Sequence, residues 1–145
     1  VRNAVTGEEW TAVRGGGAYR GNHRLRGSTE PELSHALIAT GFGYHPARRA
    51  HQARVVAELL PHVRDIRRFG SAALDLCYVA RGVFDCYIES GIQSWDIAAG
   101  ALLVEEAGGR VSLFSGAPLD IHARQIVASN GHLHDAALNT LLEGI

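Results

Sequence analysis

The chain has 145 residues and a mass of 15.6 kDa, enough for one domain with a sizeable core that needs neither metal nor disulfide staples to fold. Fourteen basic residues against fifteen acidic ones give a net charge of -1 and a pI near 6.8, which excludes the broad positive surface of a nonspecific nucleic-acid or anionic-membrane binder. The longest apolar run, Ile97 to Val104, is eight residues and falls short of the roughly 20 needed to span a bilayer.

In chain order, the first 27 residues have the pattern of a strand meander. Val1 to Val5 alternates weakly, and Trp10 to Val13 is a short β-rich run before Gly15-Gly16-Gly17. Gly21-Asn22 sits between two alternating flanks, which predicts a hairpin. From Ser28 onward strand and helix patterns alternate. Ser34 to Thr40 is a strand ending at Gly41-Phe42-Gly43, and Val55, Val56, Leu59 and Leu60 mark an amphipathic helix after Pro46. Asp65 to Phe69 is a short strand. Ser71 to Arg81 is a helix apolar on nearly every side, with Asp75 the exception, so it belongs inside the fold. Val83 to Ile88 is a strand, and Trp95 to Ala107 is a second apolar helix closed by Gly108-Gly109. Strands near Arg110 to Phe114 and Gln125 to Ser129 and a helix from about His132 to Leu142 complete the pattern. Such units imply an α/β layer: a mixed, mostly parallel sheet covered by helices.

Composition narrows the chemistry. With arginine supplying every basic residue, neither a Schiff-base lysine nor a P-loop lysine exists. Cys77 and Cys86 carry no disulfide-framework or zinc signal and are expected to be reduced thiols. The chain starts at Val1 and has no methionine, which leads to the expectation that it is part of a longer polypeptide.

Individual residues leave their roles open. Gly41-Phe42-Gly43 lacks the third glycine of a dinucleotide loop and is expected to be a simple turn. His132 and His134 lack the i, i+4 spacing of a helical metal pair, so they and His45, His51 and His62 are expected to be exposed. Gly70-Ser71-Ala72 opens an apolar helix, either as a cap or as a row of N–H donors for an anion or polyol, with Arg67 three residues upstream of Gly70. Asp96 opens the other apolar helix, either as a cap or as a carboxylate facing a cation in a cleft. Glu89 falls at the C-terminal edge of a strand, where α/β sheets bind ligands. Glu105-Glu106, at a helix end, is expected to be solvated.

The run Trp95 to Gly109, WDIAAGALLVEEAGG, closely resembles the C-terminal signature of the inositol monophosphatase family, WDxAAGxLLVxEAGG. Arg67 to Arg81 with its GSAALDLCYVAR run, TAVRGGG at Thr11 to Gly17, and Thr40-Gly41-Phe42 match other stretches of bacterial members, in the same order and across nearly the whole chain.

This resemblance implies a magnesium-dependent phosphomonoesterase acting on inositol monophosphate or a similar polyol phosphate. It implies the layered α-β-α-β-α fold shared with sugar bisphosphatases, with this chain as the C-terminal half. Residues 1–27 would complete the first sheet, and 28–145 would form the substrate-binding half. Asp96 would be the catalytic metal ligand, also touching substrate, while Gly70, Ser71, Ala72, Glu89 and Arg67 would hold the alcohol. The family's N-terminal metal motifs, including DPxDGT, are absent from these residues, so the chain alone is expected to hydrolyse little or nothing. In the complete enzyme the implied reaction is in-line attack of a metal-activated water. The resemblance further implies a cytoplasmic homodimer that engages neither membrane nor, directly, nucleic acid. Alternatives are a phosphatase for histidinol phosphate, fructose 1,6-bisphosphate or a phosphoadenosine nucleotide, or a noncatalytic dimerisation or partner-binding module.

Overall fold

The computed structural model describes residues 1–143; the last two residues of the expected 28–145 half lie outside them. Strands β1 (Trp10–Val13), β2 (Gly17–Arg20) and β3 (His23–Arg24) form a small antiparallel sheet in that order. The predicted hairpin is present, with Arg20 opposite His23. Val1 to Val5 forms no strand beyond the bridge between Arg2 and Glu9. Asn3 Oδ1 accepts the backbone N–H groups of Val5 and Thr6, the local bonding that turns a chain instead of extending it.

The main sheet contains β4 (Leu37–Thr40), β5 (Asp65–Arg67), β6 (Cys86–Ser90), β7 (Arg110–Ser112) and β8 (Gln125–Ser129), in the order β5-β4-β6-β8-β7. The helices are α1 (Pro46–Leu59), α2 (Ala72–Ala80), α3 (Ser94–Glu106) and α4 (His134–Glu143). The sheet is mixed, with β5, β4, β6 and β7 pointing one way and β8 reversed: β4 runs parallel to β5 and β6, whereas β8 is antiparallel to β6 and β7. The cause is the 113–124 connection, which contains no helix. Without a helical crossover the returning strand pairs antiparallel.

Alternation along the central strands divides the core in two. Ala39, Tyr87, Ile126 and Ala128 face α2, α3 and the small sheet, while Ile38, Cys86, Ile88 and Val127 face α1 and α4. Helix α3 packs against β1 and β2 as well as β7 and β8. The layers are therefore sheet, helices, sheet, helices, a contiguous part of the expected five-layer arrangement. Cys77 and Cys86 are free and buried on opposite faces of the main sheet, and burial pushes the Cys77 thiol up to about 12. No helix among the described residues is long and apolar enough to cross a membrane.

Several boundaries moved for local reasons. The strand predicted from Ser34 begins only at Leu37, after a 3-10 turn at Leu33–His35 closed by the Ala36 N–H on Leu33 O. The strand predicted from Val83 begins at Cys86, because the N–H groups of Val83 and Phe84 both return to Tyr78 O and close α2. Buried Asp85 then accepts the Leu37 N–H at 2.7 Å and the Ser28 hydroxyl at 2.5 Å, tying the start of the sheet together.

Two side chains depart from their expected surroundings. His134 is fully buried, not exposed; its ring nitrogens meet Ser112 Oγ at 2.8 Å and Ser129 Oγ at 2.9 Å, and burial lowers its pKa to about 4. Glu106 is not simply solvated. It accepts the Gly15 and Gly17 N–H groups at 2.7 and 2.8 Å, bonds that hold its carboxyl below the ordinary range. The triple-glycine turn, with φ of +76° at Gly15 and +90° at Gly17, is thereby clamped to the end of α3.

Candidate functional site

The three parallel strands β5, β4 and β6 carry their C-terminal ends to one edge of the sheet, where the N-termini of α2 and α3 also arrive. Ligands collect at such edges because loops and unpaired helix N–H groups converge there. The two helices come close at Gly100, in the middle of α3: a Cβ added there would stand 2.5 Å from Leu76 Cδ1 on α2. A helix-interior glycine costs about 1 kcal/mol relative to alanine, and here it lets α2 and α3 present their first turns side by side.

The result is an open cleft of about 300 Å³. Gly41 and Phe42 line it from the end of β4, Arg68 and Gly70 from beyond β5, Glu89 from β6, and Gly91 from the following turn. Ser71, Ala72, Ala73 and Asp75 enter from α2, and Asp96 enters from α3. Of the residues singled out in the sequence, Gly70, Ser71, Ala72, Glu89 and Asp96 are therefore brought together.

Ser71 and Asp96 each bond to the backbone at a helix start and also line the cleft. Ser71 caps α2, its Oγ accepting the Leu74 N–H at 3.4 Å, and it also faces the cleft. Asp96 lies in the first turn of α3; its Oδ2 accepts the Gln93 N–H at 3.2 Å, which fixes the carboxylate at the cleft wall with the helix dipole behind it. Glu89 accepts the Tyr87 hydroxyl on Oε2. Burial holds the Glu89 carboxyl above its ordinary range, Tyr87 and Arg68 draw it partly back, and Asp96 adds repulsion.

Arg67 does not join this group. It lies outside the cleft, with Nη1 on Asp65 Oδ2 at 2.5 Å and on Ile66 O at 3.0 Å, while Arg68 lines the cleft. Neighbouring residues at a strand end point to opposite sides, so a one-residue step decides which arginine faces the ligand. Gly41-Phe42-Gly43 is irregular backbone between β4 and α1, and Gly41 and Phe42 form part of the cleft wall. His45, His51, His62 and His132 do not line it.

Sequence reasoning passed over three contributors. Asp75 was noted as the odd residue of an apolar helix; it is 1% exposed and borders the cleft, and burial followed by the charge of Glu89 raises its carboxyl to about 7. Gln52 of α1 accepts the Gly43 N–H at 2.9 Å and donates to Ser90 O at 2.7 Å, joining the loops after β4 and β6. Tyr87, buried in the main sheet, orients Glu89. An i, i+2 pair on one face of a strand was the available signal for the last.

The carboxylates present suit a hard cation in chemistry, since such ions take oxygen ligands. They do not suffice in number: among the described residues no group of three or more His, Cys, Asp or Glu side chains is placed to hold a metal ion.

The sequence model of the inositol monophosphatase family matches residues 1–145. The chain belongs to the inositol monophosphatase family. Inositol-1-monophosphatase SuhB of Mycobacterium tuberculosis is 54% identical over 108 residues, covering 72% of this chain and 37% of that protein. The Nus factor SuhB of Escherichia coli is 44% identical over 139 residues, covering 95% of this chain and 52% of the relative. Among solved structures, the inositol monophosphatase from Anabaena (Nostoc) superposes with a TM-score of 0.93 at 36% identity, over 99% of this chain and 57% of that one. The chain thus spans about half the length, or less, of the family members it matches.

Proposed function

We propose that the cleft is the alcohol-binding wall of a phosphomonoesterase for inositol monophosphate or a similar polyol phosphate. The observation that carries this reading is the meeting of Asp96, Glu89 and the Gly70-Ser71-Ala72 turn at one sheet edge. Carboxylates accept hydroxyl hydrogens, and N–H groups at the start of α2 donate to hydroxyl or ester oxygens, so a polyol finds both kinds of partner. Family membership and the inositol-1-monophosphatase name of a close relative support the same substrate class.

Magnesium is the cofactor we assign to the complete enzyme, with Asp96 as one ligand and the others outside these residues; when bound it would supply Lewis-acid activation of water and of the leaving oxygen. The residues of this chain position the alcohol. Glu89, fixed by Tyr87, takes a ring hydroxyl, the turn before α2 holds a second oxygen, and Asp96 faces the ester oxygen from a stiff helix start. In this reading the isolated chain hydrolyses little. The protein that contains it is a cytoplasmic homodimer, and Arg67 acts from outside the cleft.

A second reading is a noncatalytic partner-binding module, favoured by the Nus factor name of the Escherichia coli relative. Magnesium-dependent phosphate release by the full-length protein decides between them, with inositol 1-phosphate, histidinol phosphate and fructose 1,6-bisphosphate as substrates. The phosphatase reading expects inositol phosphate to turn over fastest and Asp96→Asn to lose orders of magnitude in rate. Near-normal turnover by Asp96→Asn would remove Asp96 from catalysis, and no turnover of any ester would leave the binding module.

A further inference from the structure

Two buried side-chain polar atoms among the described residues have no hydrogen-bond partner, Trp10 Nε1 and Asp75 Oδ1. Trp10 lies in the core beneath the small sheet; Asp75 borders the cleft. An unpaired carboxyl oxygen in a buried setting weakens the fold, so its presence in a helix that is otherwise apolar calls for a partner that the described residues do not supply.

The neighbouring carboxyls differ in this respect. Glu89 Oε2 is engaged by the Tyr87 hydroxyl and Asp96 Oδ2 by the Gln93 N–H. In its ionised form Asp75 only accepts hydrogen bonds, so a ligand that satisfies that form must bring a donor. An anion has the wrong charge beside Asp75 and Glu89, and the cation of the proposed reaction is assigned to Asp96, not to Asp75. Hydroxyl groups remain.

We propose that Asp75 is a specificity-determining residue of the cleft. It accepts a hydrogen bond from a second hydroxyl, adjacent to the one held by Glu89, and so restricts the site to phosphates of alcohols with neighbouring free hydroxyls. This inference rests on the cleft being the polyol-phosphate site, and goes beyond that reading by assigning the selection to Asp75.

The test titrates the full chain, Asp75→Leu and Asp75→Asn with inositol 1-phosphate, which has adjacent hydroxyls, and with phenyl phosphate, which has none, and adds thermal melts. The wild-type chain should prefer inositol phosphate. Asp75→Leu should melt higher yet bind inositol phosphate about tenfold more weakly, with phenyl phosphate unchanged; Asp75→Asn, which keeps an acceptor oxygen, should lose about threefold. A merely structural role predicts no change in the ratio of the two affinities. Should Asp75→Leu not fold, the Asp75→Asn ratio decides. An unchanged ratio in a folded variant overturns the role of Asp75 alone. A wild-type chain that binds neither ligand overturns the polyol reading and this inference together.

Discussion

The carboxyl group of Glu89 occupies the space above Gly41 that any side chain there would need: a Cβ on Gly41 would come within 2.6 Å of the Glu89 carboxyl carbon. The end of β4 is therefore shaped by a residue on β6, 48 positions later, and the cleft wall depends on the absence of one methyl group.

Gly41→Ala accordingly pushes Glu89 away from Tyr87. Overpacking of this kind costs about 1–3 kcal/mol, and a misplaced carboxylate weakens hydroxyl binding about tenfold. Thermal melts and ligand titration of the variant check both. A variant that melts and binds like wild type would mean that Glu89 has a second equally good position.

Asp75 gives a stability effect with a defined sign. Its folded pKa of about 7 lies above the ordinary 3.8, so the folded state holds the extra proton between these values and loses stability as pH rises through them. Asp75→Asn removes this loss. At pH 8 it should be more stable than wild type, by on the order of 4 kcal/mol at the upper limit, and the advantage should vanish near pH 4. Denaturant unfolding at several pH values measures it; an equal offset at all pH values would contradict it.

His134 acts in the opposite sense. Its folded pKa of about 4 is below the ordinary 6.5, so the unfolded chain takes up the proton first and stability falls as pH drops from 6.5 toward 4. The contribution reaches about 3 kcal/mol, and in wild type it is masked by the Asp75 slope over the same range. His134→Gln should therefore differ from wild type by an amount that shrinks on acidification. Histidine NMR titration of the wild-type protein should find no His134 transition near 6.5.

Glu106 links the two sheets' helical layer to the triple-glycine turn. Its carboxyl is held low by the Gly15 and Gly17 N–H groups. That contribution is full above the ordinary carboxylate pKa and is lost as pH falls through the depressed folded value. Glu106→Gln should lower the melting temperature at pH 7, with the difference closing in acid. It should also speed amide exchange at Gly15 and Gly17, and unchanged exchange would contradict the clamp.

The legible part of the fold was what local pattern controls. A β-rich run marked β1 and alternating flanks marked the hairpin, while the apolar composition of α2 and α3 announced their central position. Boundaries at Leu37 and Cys86 were hidden because they depend on Asp85 and Tyr78, partners far off in sequence or bonded through the backbone. The equal split of parallel and antiparallel pairs was hidden because the helix-free 113–124 connection fixes it. In the site, Asp96, Glu89 and the Ser71 turn stood out as polar residues at the mouths of apolar elements. Arg68 did not, because a strand end one residue shorter or longer exchanges its role with that of Arg67. Nor did Glu106 and His134, since a polar residue near a helix end looks exposed until its distant partners arrive.

The central claim is that Gly41, the turn before α2, Glu89 and Asp96 form one polyol-phosphate site. Amide NMR of the chain during titration with inositol 1-phosphate tests it most directly. The account predicts concerted, saturable shifts at Gly41, Ser71, Ala72, Glu89 and Asp96, with His132 and the 10–20 strands unmoved. Saturable shifts confined to residues remote from the cleft, or none at any of these five positions, would contradict it.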